Sequence, residues 1–139
     1  MQENNIENPG FVKTIEYLKK RFTELDNNYK LPDNKHAESC LNIAVEVAGL
    51  LISEGGKPYI IAIDGKKIDS INTEAISPAR YEGKVEWGRH LVCANDGIVY
   101  DPMIGEPVAL EEYVQSAFTK PVDATVRVAQ DAMEEFLSR

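Results

Sequence analysis

The chain has 139 residues, 43% hydrophobic and 27% charged, a balance that suits one soluble domain with a core of its own. Fifteen basic against 23 acidic residues give a net charge of -8, which argues against a nucleic-acid backbone or an anionic membrane as partner. Two cysteines imply no disulfide framework.

The start, MQENNIENPG, lacks the basic and apolar parts of a secretory signal. The expected compartment is therefore the cytoplasm, or export without a classical signal peptide. Residues 1–9 read as a disordered polar arm. Residues 10–26 read as a helix, with Phe11, Ile15, Leu18, Phe22 and Leu25 recurring at three- and four-residue steps. Asp26-Asn27-Asn28 ends it, and Tyr29 to Asn34 reads as a loop around Leu31-Pro32.

Residues Cys40 to Ile52 (CLNIAVEVAGLLI) are apolar on nearly all sides, with Asn42 and Glu46 forming one thin polar stripe. Such a helix is expected to be central and covered. Glu46 interrupts its apolar run, which is too short to span a bilayer. Gly55-Gly56 is the expected stop. Asp33, Asn34 and Ser39 all qualify as caps, and capping by Ser39 would put Cys40 in the first turn.

PYIIAIDG follows as a strand with a turn at Asp64-Gly65. Residues 66–83 read as a long loop or a degraded strand plus turn. KVEWGRHLVCA, then Asn95-Asp96-Gly97, then IVYDP is a strong hairpin signal. LEEYVQSAF, residues 110–118, reads as a short helix, VDATVRVAQ as one more strand, and DAMEEFLSR as a terminal helical turn. Helix, helix, then mostly strands predicts one α+β domain over 1–139, with a small antiparallel sheet packed against a buried helix.

Three residues carry the chemical expectation. A cysteine at a helix N-terminus sits where backbone amides and the dipole favour a thiolate and a nearby oxyanion. A two-residue Asp96-Gly97 loop pairs Val92 with Asp101, leaving His90 and Asp101 on one face in diagonal register. A three-residue loop would instead pair Leu91 with Asp101 and separate them. Cys40, His90 and Asp101 then make a nucleophile, a base and an orienting group.

Each has a plainer reading: a buried small residue, a structural histidine, a strand-ending turn. His36, four residues before Cys40, is an alternative base. The backbone amide of Cys40 and the side chain of Asn34 are the oxyanion candidates, with Asn27 and Asn28 as fallbacks. Trp87 either shields the site edge or fills the core. Cys93, alternating away from His90, is expected as packing. No zinc, calcium or nucleotide motif is present, so no metal or cofactor is expected.

The stretches ESCLNIAVEVAGLL and WGRHLVCANDGIVYDPMIG resemble the papain-like cysteine hydrolase superfamily, most closely its short bacterial toxin and deamidase-like domains, and are similar to transglutaminase-like folds. The resemblance covers residues 34–105 and implies a papain-like minimal core there, with Cys40 as nucleophile, His90 as general base and acid, Asp101 as orienter, and a protein or peptide amide as substrate. Leu41 follows Cys40 where papain-like peptidases carry tryptophan, and no upstream glutamine lies between Gln2 and Gln115. The alternative is a catalytically inactive papain-like binding, adaptor or immunity module.

Overall fold

The computed structural model describes residues 11–24, 35–82 and 84–129. The polar arm, the 29–34 loop with Asn34, and the terminal DAMEEFLSR lie outside the described residues. The elements are α1 (Val12–Glu24), α2 (Lys35–Ser53), β1 (Tyr59–Gly65), β2 (Arg89–Asn95), β3 (Ile98–Tyr100), β4 (Val108–Ala109), α3 (Leu110–Ser116) and β5 (Val122–Val128). The strands form one antiparallel sheet in the order β4-β3-β2-β1-β5. The α+β class is as expected, and the two-residue β4 is an addition to it.

Helix α2 buries Cys40, Ile43, Ala44, Val47, Ala48 and Leu51, a stripe at helical spacing. Its other side is open: Asn42 and Glu46 are exposed, and Leu41 is 46% exposed beside them. The expectation of cover on nearly all sides is therefore corrected to a helix enclosed along one face, with its polar stripe facing water.

The stop falls where the two glycines stand, with the Gly56 N–H returning to the Leu51 carbonyl at 2.7 Å. The Glu54 carboxylate beside it accepts the N–H groups of Lys13 and Thr14, each at 2.9 Å, and the Thr14 hydroxyl at 2.7 Å. It thereby satisfies donors that the first turn of α1 leaves open. On α1, Thr14 and Leu18 are buried, whereas Phe22, expected on the core face, is 37% exposed. Its ring lies under the Arg80 guanidinium, 4.1 Å from the centroid.

Strand β1 lies inside the sheet, between β2 and the edge strand β5. Ile60, Ile61, Ala62 and Ile63 are all buried, so both faces of the strand are covered. The expected turn at Asp64-Gly65 is absent, because pairing runs on to Arg89 on one side and to Asp123 and Val122 on the other. Gly65 is needed there for a close approach: a Cβ would stand 2.1 Å from the Glu74 carbonyl oxygen.

Residues 66–82, within the 66–83 stretch expected as a loop, are tied by bridges from Lys67 to Thr73 and from Ile76 to Trp87, with a 3-10 turn at Ala79–Tyr81. Edge strand β5 is exposed from Asp123 to Arg127. Among the described residues no helix is long and apolar enough to cross a membrane.

Candidate active site

The site begins with a turn. Asp96 and Gly97 take φ of 53° and 78°, the left-handed pair that a type I′ loop requires. The ladder runs Asn95 to Ile98, Ala94 to Val99 and Cys93 to Tyr100, which is the two-residue register. Asp101 follows β3 directly, and its Oδ2 lies 3.0 Å from His90 Nε2.

The carboxylate is further held by the Met103 N–H, 2.9 Å from Oδ1, and by the Tyr113 hydroxyl, 2.6 Å from Oδ2. His90 and Asp101 are each 1% exposed. Burial by itself would lower the imidazole pKa. The Asp101 charge and hydrogen bond, with Cys40 adding to them, outweigh it and bring the value up to about 9. For Asp101 burial acts upward, while His90, Tyr113 and the Met103 amide together hold it below the usual carboxylate range.

Helix α2 brings Cys40 close enough to His90 to add to that upward shift. The three residues singled out from sequence are thus brought together in the fold. The two cysteines differ: Cys40 keeps 3% of its surface, whereas Cys93 has none, and burial pushes its thiol far above the ordinary range.

The start of α2 lies further upstream than Ser39 capping would place it. The helix runs from Lys35, so Cys40 is its sixth residue, in the second turn. Amides beyond the first four normally bond the carbonyl four residues back. The Cys40 amide is therefore not the open oxyanion donor that a first-turn position would give. Asn34, Asn27, Asn28 and the side chain of His36 lie outside the described residues.

Trp87 stacks on the His90 ring, with centroids 5.1 Å apart and planes at 27°. Strand alternation would put it on the opposite face. The chain bends at Gly88, before β2 begins, and alternation does not carry across that bend. Trp87 is 5% exposed and covers one face of the imidazole.

Phe118 meets the same ring edge-on at 6.2 Å. Neither it nor Tyr113 was identified from sequence as part of the site. Tyr113 is the one buried residue of α3, and a buried tyrosine hydroxyl needs a polar partner, which only the fold supplies. Among the described residues no group of three or more histidine, cysteine or acidic side chains is placed to hold a metal ion.

With this geometry in hand, comparison with protein-family models, with curated proteins and with solved structures returns no match.

Proposed function

We propose that the chain is a thiol-dependent acyl-transfer hydrolase with a papain-like minimal core, acting on an amide of a protein or peptide. One observation carries this reading: Cys40, His90 and Asp101, from a helix and two adjacent strands, are linked in series around a single imidazole. With Nε2 on Asp101, Nδ1 is the nitrogen that takes the Cys40 proton. The thiolate attacks the amide carbonyl, and a C–S bond forms. The C–N bond then breaks as the imidazolium protonates the leaving nitrogen. Water, deprotonated by the same imidazole, hydrolyses the thioester. Loss of ammonia from a glutamine side chain makes the enzyme a protein deamidase, and loss of a backbone amine makes it a cysteine peptidase.

A second reading rests on burial. At 3%, 1% and 1% exposure, Cys40, His90 and Asp101 are nearly closed to solvent, which favours a papain-like scaffold kept as a binding, adaptor or immunity module. Alkylation of the native protein at pH 7, followed by mass spectrometry, separates the two. The hydrolase reading expects one iodoacetamide adduct, at Cys40, forming at least tenfold more slowly in His90→Ala. Modification only on unfolding, alike in both proteins, would overturn it. A reactive Cys40 would then be tested for ammonia release from protein glutamines against peptide cleavage.

A further inference from the structure

The Asp101 carboxylate accepts more hydrogen bonds than orienting an imidazole requires. Oδ2 is shared: it accepts from the Tyr113 hydroxyl at 2.6 Å and faces His90 Nε2 at 3.0 Å. Oδ1 is occupied by the Met103 amide at 2.9 Å. Tyr113 and Asp101 are each 1% exposed, so no bulk solvent dilutes the contact. A short O–H···O⁻ bond in such surroundings is among the stronger hydrogen bonds a protein makes, and it draws charge from the oxygen that accepts it.

We infer that Tyr113 is a positioning residue that moderates the hold of Asp101 on the His90 imidazolium. It does so by taking part of the negative charge of the oxygen that both of them use. The inference rests on the hydrolase reading, in which one imidazole must accept a proton from Cys40 and then give it to the leaving nitrogen. A buried carboxylate with the histidine as its main partner would favour the first step and oppose the second. General acid–base work is most effective when the group releases a proton about as readily as it takes one.

Among the described residues, the ionisable groups that act on this centre are Cys40 from α2, His90 from β2, Asp101 after β3 and Tyr113 from α3. Trp87 and Phe118, which pack on the ring, carry no charge.

The test is an NMR pH titration of the ¹³C-labelled His90 ring in the full chain, with His36→Gln removing the one other histidine. Tyr113→Phe deletes the donor, and 3-fluorotyrosine at the same position makes it a stronger one. The expected result is a rise of the His90 midpoint by about one pH unit in Tyr113→Phe, a tenfold tighter proton, and a fall with the fluorinated ring. An unmoved midpoint in both proteins, or a shift in the same direction in both, overturns the inference. If Tyr113→Phe does not fold, the fluorinated protein alone decides: a fall supports the inference, and an unmoved or raised midpoint overturns it. Failure of the hydrolase reading is seen separately, as a Cys40 that alkylates no faster than in His90→Ala whatever the histidine midpoints do.

Discussion

His90 and Asp101, eleven residues apart in the chain, meet at 3.0 Å through Nε2 and Oδ2 with almost no solvent around either. The contact makes stability depend on pH. The folded-state pKa of His90 lies above its unfolded value, so its contribution is complete below about pH 6.5 and lost as pH rises toward about 9. Asp101 is shifted down, so its contribution is present above the unfolded carboxylate value and lost in acid. Unfolding free energy should therefore fall between pH 6.5 and 8, by up to about 1.4 kcal/mol per pH unit. Urea melts at pH 6, 7 and 8 measure this, and His90→Gln should flatten the slope. Cys93 adds to the decline only above about pH 8.5, where the unfolded thiol ionises. An unchanged slope in His90→Gln would show that the pair does not set it.

Glu54 is expected to act as a cap delivered from another element. Glu54→Ala should cost about 1 kcal/mol, since it uncaps the Lys13 and Thr14 amides. The Glu54 pKa is lowered: burial acts upward, and the Lys13 and Thr14 hydrogen bonds overcome it. The effect should therefore be full at neutral pH and vanish as the carboxylate is protonated in acid. Melting of both proteins at pH 7 and pH 3.5 tests this, and an equal difference at the two pH values would refute it.

Arg80 joins three parts of the chain. Its guanidinium covers the Phe22 ring and donates to the Phe22 carbonyl, and its Nη1 donates to the Met103 carbonyl at 3.2 Å. Arg80→Ala should cost about 1–2 kcal/mol in chemical denaturation. Arg80→Lys should recover little, because an ammonium cannot serve two carbonyls and a ring in that geometry. Full recovery by lysine would mean that charge alone matters at this position.

Two glycines should respond in opposite directions. Gly65→Ala forces a methyl against the Glu74 backbone and should cost more than about 2 kcal/mol, with the 66–74 loop displaced. Gly49→Ala in α2 meets nothing within 4 Å and should stabilise by roughly 0.5–1 kcal/mol. Thermal melts of the two variants measured side by side decide both values.

Much of this was legible where local rules act alone. The Asp96-Gly97 turn set the hairpin register, and with it the meeting of His90 and Asp101, because two-residue loops leave little freedom. Helical spacing gave α1, whereas the nearly all-round apolar run of α2 hid which of its faces is covered. What escaped depends on partners remote in the chain. The extension of β1 through Gly65 follows from neighbours on both sides, one of them contributed near the end of the described chain. Tyr113 needed Asp101 in place before its hydroxyl had a meaning, and Trp87 needed the bend at Gly88. The start of α2 was ambiguous because three caps compete within seven residues of one another, Asp33 to Ser39.

The stacking of Trp87 on His90 turns the protein into its own reporter. The chain has one tryptophan, and it lies against the ring whose charge governs the proposed chemistry. An imidazolium accepts an electron from an excited indole more readily than a neutral imidazole does. Ultraviolet emission from the unlabelled protein should therefore brighten as His90 loses its proton, so that an ordinary fluorimeter reads the ionisation of a single buried side chain.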